Sequence, residues 1–364
     1  MEQRESHVKL NPFCHIRFGE RPSCQLLLNE TSLELPDKRY IPLLLRLSNP
    51  TSRNAVAELA GQLLGVGPAK GAAVVADLEK NQILVNADAP FPRTDAVDFW
   101  MKRGWLEGLI FHLETRNLEY EDADGHPKNG EDVVAQRLRE SIEREGPPSF
   151  WKSYPEARSV DLPAPNVPAS PEPLAQSLLR RRSNTTPRNK SMSQEQLSTM
   201  LHYGSLENIR LRQQAERTLK THPENLVQSS FSAIETYFVA FNVEGLEPGL
   251  YHYEMPHHRV ALVNPEVVRQ NLSKMCFGQT LASAGPCTFL FTGVWQRYMY
   301  RYRHARAYRN LLVNMAELGQ RYLLMATALG FSTFMTPQTL YHEAQRILGV
   351  PHYEEGLLYV IGAG

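Results

Sequence analysis

Little in this sequence announces an activity by motif. It has no GxGxxG after a strand, no GxxxxGK[ST], no HExxH and no GxSxG. The dinucleotide, P-loop, zinc-protease and α/β-hydrolase signatures therefore have no support. Cysteine is scarce: Cys14, Cys24, Cys276 and Cys287 are scattered without a CxxC spacing. Cys14 and His15 with Cys24 lack a fourth ligand at zinc-finger spacing, which leaves buried free thiols in a reducing compartment as the expectation. A charge excess is missing too. Lys plus Arg number 39 and Asp plus Glu number 39, whereas a protein built to coat phosphate backbones carries a basic surplus. No window approaches the ~20 apolar residues of a membrane helix. The opening "MEQRESHVKLN" contains no apolar signal segment. The expectation is a cytoplasmic protein that engages neither nucleic acid nor membrane.

What is present divides the 364 residues into more than one domain, as that length favours. Over residues 1–95, "CQLLLNETSLELPD" alternates like strands. "SRNAVAELAGQLLG" predicts a helix, with Thr51 or Ser52 as its cap and Gly65 as its stop. "GAAVVADLEK" and "NQILVNA" read as a second helix and a strand. Short strands around small helices suggest a winged-helix module. With few basic residues on its second helix, a peptide clamp is at least as good a reading as a DNA reader. Residues 96–120 read as a connecting amphipathic helix, with Trp100, Leu106, Ile110 and Phe111 as its buried stripe and His112 as a core or interface histidine. Residues 121–175 are dense in proline around the charged helix "EDVVAQRLRESIERE" and read as a linker.

From 176 to 364 the pattern is globular again. "MSQEQLSTMLHYG" has Ser193 and Gln196 at capping-box spacing and Gly204 as terminator. "TYFVAFNVEGLEPGLYHYE" predicts strand, turn and strand, "CTFLFTGVW" a buried strand and "EGLLYVIGAG" a closing one. "YRNLLVNMAELGQRYLLMATALGF" predicts a long central helix ending at Gly330, and "EAQRILGV" a further helix. Strands and helices without strict alternation indicate an α+β fold.

Two arginine clusters stand out in this half. "LLRRRSNTTPRNK" offers Arg180, Arg181, Arg182 and Ser183, guanidinium forks and a hydroxyl that suit a phosphate monoester or a solvated linker end. "YMYRYRHARAYRN" packs four tyrosines and four arginines into thirteen residues. It puts Arg303, Arg306 and Arg309 about a turn apart at the start of the long helix, where an anion or a partner's acids would balance them. Two basic clusters in a neutral chain suggest a ligand with one phosphate and one flat ring, for which flavin mononucleotide (FMN) is suitable.

The second half resembles the SagB-type dehydrogenases, FMN-dependent azoline oxidases of peptide natural-product pathways and a branch of the nitroreductase fold. The resemblance is carried by "RRRSN", "MSQEQLSTMLHYG", "ETYFVAFNVEGLEPGLYHYE", "RAYRNLLVNMAELGQRYLLMATALGF", "ILGV" and "LLYVIGAG". It extends upstream through "EGPPSFWKSYP". It implies an FMN-binding domain with a central mixed sheet and a long core helix, behind a winged-helix-like peptide-binding domain. It further implies FMN at a homodimer interface, held by Arg181, Arg182 and Ser183, with Arg306, Arg309 and Gln320 as additional candidates. Ser229 and Ser230, in the run that replaces the family's Pro-Ser-x-Gly-Ala-Leu-Tyr-Pro, are carried with them. The family's Lys-Tyr pair falls on Tyr302 and Arg303, or, with the register shifted, on Met299 and Tyr300. Tyr300, Tyr302 and Arg303 are thus the catalytic candidates. Asn314, Ala316 and Glu317 stand where the family has glutamate, glycine and histidine. The implied activity is dehydrogenation of an azoline in a modified peptide, with a companion peptide-modifying enzyme as a possible partner. Oxygen-dependent hydroxylation and a degenerate, non-catalytic partner are the alternatives.

Overall fold

A computed structural model describes residues 6–19, 21–26, 31–89, 100, 102–115, 130–166, 173–183, 186–187, 190–223, 226, 231–302 and 304–364. It forms two compact units, Met1–Glu119 and Tyr120–Gly364.

The first unit contains two small antiparallel sheets. One joins β1 (His7–Leu10), β5 (Thr51–Ser52) and β6 (Leu84–Asn86); the other joins β2 (Cys14–Arg17), β3 (Ser23–Leu26) and β4 (Thr31–Glu34). Helices α1 (Tyr40–Leu45), α2 (Arg53–Leu64) and α3 (Pro68–Lys80) complete its core around Val8, Leu43, Val56 and Leu78. α2 begins and ends where its sequence says. The Ser52 hydroxyl accepts from the Ala55 amide, and Gly65 closes the helix at φ 68°. Helix α4 (Leu106–Glu114) buries Leu109, whereas the expected stripe of Trp100, Leu106, Ile110 and Phe111 is only half-buried and His112 is exposed.

In the second unit the labels run α5 (Gly130–Glu145), β7 (Ser159–Asp161), α6 (Leu174–Arg180), α7 (Gln194–Thr221), β8 (Ile234–Ala240), β9 (Gly249–Glu254), β10 (Arg259–Asn264), α8 (Arg269–Met275), β11 (Cys287–Val294), α9 (Trp295–Met299), α10 (Ala307–Ala328), β12 (Thr333–Thr336), α11 (Tyr341–Leu348) and β13 (Glu355–Ala363). One seven-stranded sheet runs β12-β13-β11-β8-β9-β10-β7. Each pair in it is antiparallel, so the expected mixed sheet is not what the described strands make. Hairpin connections such as β8–β9 permit this without crossover helices. The strand β7 lies inside the proline-rich stretch read as a linker. It pairs with β10 and forms the sheet's edge, a position where neighbouring prolines leave no ladder bond unmade.

The sheet's central strands are apolar on both faces because helices cover both. On one face Tyr322 of α10 packs on Phe289 and Phe291 of β11, ring centroids 5.0 and 4.8 Å apart. On the other face Tyr237, Leu250, Leu272 and Ile347 form a second cluster.

The capping box is present as expected: Ser193 and Gln196 each bond the other's backbone amide. Gly204, however, does not end the helix, which continues to Thr221. Its role is close approach. A Cβ there would lie 2.6 Å from the ring of Tyr322, whose hydroxyl meets Ser205 Oγ at 2.8 Å. Gly204→Ala therefore sets a helix-propensity gain of about 1 kcal/mol against an overpacking cost of roughly 1–3 kcal/mol. Tyr322 is fully buried and has no room to swing away, so the clash decides the sign. A lower melting temperature is expected, and a variant melting at or above the parent would contradict this packing.

Candidate functional site

Where α6 gives way to extended chain, Arg180, Arg181 and Arg182 come up against the C-terminal end of α10. With Thr327, Gly330 and Thr333 they line a cavity of about 270 Å³. Arg180 Nη2 donates to the Thr327 carbonyl at 2.9 Å and so caps the core helix. Arg181 Nη1 donates to Ser183 Oγ at 2.8 Å. Arg182 Nη1 reaches the carbonyls of Leu179 and Arg181, each at 2.8 Å, and Thr333 Oγ1 donates to the Arg182 carbonyl at 2.8 Å. Neither Arg181 nor Arg182 faces a carboxylate among the described residues. Two uncompensated guanidinium groups beside a hydroxyl form a donor set suited to a dianionic phosphate. The phosphate of FMN fits this cavity.

A second, larger cavity of about 1050 Å³ lies at the other end of α10. The segment Gly146–Ser149 forms one wall. Trp295, Tyr298, Tyr302 and Tyr308 line the rest, together with Arg297. The rings of Tyr298 and Tyr302 pack at a tilt of 43° with centroids 4.8 Å apart, and Tyr302 carries the Arg301 guanidinium 5.1 Å from its ring centre. Burial, with Tyr302 close by, pushes the Tyr298 phenol up to about 12. Tyr300 is committed elsewhere: its hydroxyl donates to the Gly146 carbonyl at 2.8 Å and ties down that wall.

Beneath this cavity is an ion cluster that no sequence motif indicated. Glu235 Oε1 accepts from Arg297 Nη1 at 2.6 Å and from Arg212 Nη1 at 3.1 Å, while Oε2 meets His252 Nε2 at 3.1 Å. All four side chains are buried. Burial by itself would raise the Glu235 carboxyl, but the two arginines outweigh it and hold it well below the ordinary range. Burial draws Arg212 down to about 10, which leaves it charged at neutral pH. Nearby, Lys152 Nζ donates to the Tyr237 hydroxyl at 2.7 Å and to Glu355, and Tyr154 and Tyr237 share a hydrogen bond of 2.9 Å. A lysine–tyrosine contact therefore exists, but it joins residues 85 apart in the chain. The available signal was Glu235 itself, a carboxylate set inside the apolar strand "AIETYFVAF", since such a group needs a buried cation.

The sequence-derived candidates fall into separate groups. Arg181 and Arg182 line the arginine cavity, Ser183 is bonded to Arg181, and Tyr302 lines the tyrosine cavity. Tyr300 lines it too, but its hydroxyl is tied to the wall. Arg306 stands at the N-cap of α10, Arg309 is exposed in its first turn, and Gln320 is exposed on its side. Ser229, Ser230 and Arg303 lie outside the described residues. From Leu311 or Ala307 to Thr327, α10 spans sixteen to twenty residues. At ~1.5 Å per residue this is about 24–30 Å. Within one copy, then, the two basic clusters do not enclose one phosphate.

The structure is that of an α+β protein with a helix-covered antiparallel sheet and an arginine-lined cavity at the C-terminal end of its core helix. The chain belongs to the nitroreductase family, which matches residues 178–364. It is similar over nearly its whole length to the trifolitoxin operon protein TfxC of Rhizobium leguminosarum bv. trifolii, 28% identical over 370 residues, 98% of this chain and 100% of that one. It is also similar to the trifolitoxin-processing protein TfxB of the same organism, 29% identical over 119 residues, 29% of this chain and 31% of that one. A solved structure described as a nitroreductase, from Anabaena variabilis, is 20% identical with a TM-score of 0.47, covering 59% of this chain and 43% of its own. With the family match and the two trifolitoxin relatives, the resemblance to the SagB-type branch stands.

Proposed function

We propose that this protein is an FMN-dependent oxidoreductase that tailors a peptide precursor by two-electron dehydrogenation, most simply of an azoline to an azole. The observation that carries the proposal is the pair of uncompensated arginines, Arg181 and Arg182, in a phosphate-sized cavity of a nitroreductase-family domain. The full-length similarity to a trifolitoxin operon protein supports a peptide as the substrate. The similarity to a trifolitoxin-processing protein supports a companion enzyme. In this reading the first unit is a winged-helix-like clamp for that peptide.

Arg181, Arg182 and Ser183 would hold the FMN phosphate. When bound, FMN supplies the two-electron acceptor. The chain's own residues orient the peptide and accept a proton. Of the two tyrosines proposed for that step, Tyr302 is favoured. The Tyr300 proton is engaged with Gly146, whereas the Tyr302 hydroxyl donates to none of the described residues and its ring lines the cavity with the Arg301 guanidinium 5.1 Å from its centre. Tyr302→Phe should lower turnover about 100-fold or more, and Tyr300→Phe should lower it far less.

The arginine cavity and the tyrosine cavity lie at opposite ends of α10, farther apart than one FMN reaches from phosphate to ring. One active site therefore takes the first from one copy and the second from another, which makes a homodimer part of the proposal. Complementation tests it. Arg181→Gln/Arg182→Gln protein and Tyr302→Phe protein, each inactive alone, should recover roughly a quarter of parental activity when co-folded as mixed dimers. The product should lack two hydrogens. A product that has gained oxygen would replace dehydrogenation by hydroxylation, and mixed dimers without activity would sink the shared-site arrangement.

A further inference from the structure

The charges beneath the tyrosine cavity do not balance. Arg212 and Arg297 are two buried cations sharing one carboxylate, Glu235. His252 supplies no compensation: it donates Nε2–H to Glu235 Oε2, and its Nδ1 has no partner. A neutral ring leaves that nitrogen an unused acceptor, whereas a protonated one would add a third buried cation. The neighbouring Lys152–Glu355 pair is internally neutral, as is the Arg144–Glu145 pair on the cavity rim.

Arg212 spends its nitrogens on the Ser232 and Ile234 carbonyls and on Glu235. Arg297 does not. Its Nε donates to the Ser149 carbonyl at 2.6 Å and its Nη1 to Glu235 at 2.6 Å, which leaves Nη2 without a partner among the described residues. Arg297 has a side chain only 4% exposed, and it lines the cavity. An unpartnered guanidinium nitrogen that a largely buried side chain turns to the cavity, in a cluster with one unit of uncompensated charge, calls for an anionic acceptor. The N-terminus of α10 at Ala307 borders the same space and adds its partial positive charge.

We propose that this cavity takes a carboxylate-bearing segment of a peptide, with the carboxylate on Arg297 Nη2 and the neighbouring residues against Trp295, Tyr298 and Tyr308. A single carboxylate balances the cluster. The aromatic walls suit the apolar flank of a peptide rather than a bare ion, and about 1050 Å³ admits several residues. The inference rests on the reading that a peptide is the substrate and names its chemistry: a C-terminal carboxylate or an acidic side chain beside the reacting residue.

Three tetrapeptides test it by calorimetry on the full-length protein. They are acetyl-Phe-Gly-Gly-Phe as the free acid, acetyl-Phe-Gly-Glu-Phe-amide, and the neutral acetyl-Phe-Gly-Gln-Phe-amide. At least one acid should bind about tenfold or more tighter than the neutral peptide, and which acid prevails distinguishes chain end from side chain. Arg297→Gln, which leaves Arg212 and Glu235 as a balanced pair, should erase that preference. Equal binding of all three by the parent overturns the proposal even should the variant not fold. So does a folded Arg297→Gln that keeps the preference. Repeating the titrations with flavin-free Arg181→Gln/Arg182→Gln protein separates the two claims. Acid preference without flavin upholds the carboxylate site whatever becomes of the redox reading.

Discussion

Arg181→Gln/Arg182→Gln protein is expected to purify without colour and to bind added FMN at least 100-fold more weakly than the parent. Each arginine supplies a charge-assisted contact of about 1.5–3 kcal/mol to a phosphate, so loss of two spans roughly two to four powers of ten. Fold damage should be small, because neither side chain pairs with a carboxylate and their present bonds are to nearby carbonyls and one hydroxyl. Arg180 is a poorer target. It caps α10 through the Thr327 carbonyl, so its loss would mix helix destabilisation with ligand loss. The visible flavin absorbance of the purified protein reads the outcome directly. A double variant that stays yellow would remove the phosphate assignment and with it the proposed chemistry.

The second large effect is structural. Glu235→Ala leaves Arg212 and Arg297 facing each other in a buried site with no anion. Breaking such a group by removing one partner costs about 3–5 kcal/mol, equivalent to roughly 6–20 °C in melting temperature for a unit of this size. The pH dependence has a definite direction. The folded-state value of Glu235 lies well below the unfolded one. Its contribution is therefore complete above the ordinary glutamate value of about 4.3 and is lost as pH falls through the folded value. Parent and variant should differ most near neutrality, and their melting temperatures should converge in strong acid. A variant as stable as the parent at neutral pH would show that the cluster contributes nothing net. The same cluster holds the tyrosine cavity's wall through Arg297 and the Ser149 carbonyl, so the variant is also expected to lose substrate binding.

Much of the second unit could be read in advance because its signals are local. The capping box at Ser193 and Gln196 needs only three residues of separation. The aromatic and β-branched run "TYFVAF" needs only its own residues to favour a strand, and the strong helix formers of α10 need only their own turns. Gly204 shows where such reasoning stops. A glycine after a helical stretch reads as a terminator, yet Tyr322, 118 residues later in the chain, occupies the space a side chain would need. The proline-rich stretch shows the same limit. Ser159–Asp161 is a strand only because β10 presents a free edge to pair with.

The candidate site divides in the same way. Arg181, Arg182 and Ser183 are neighbours in the chain, so their chemistry was visible before their positions were. Arg212, Glu235, His252 and Arg297 come from α7, β8, β9 and α9, and nothing in their spacing relates them. Sequence alone determined the long helices, the central strands, the capping box and the arginine runs, because those depend on forces acting within a few residues. Only the tertiary structure decided that the two basic runs stand at opposite ends of one helix, and that Arg297 is left with an unused nitrogen. Those outcomes depend on which distant side chains are brought within a few ångströms, and on how many charges share a single carboxylate.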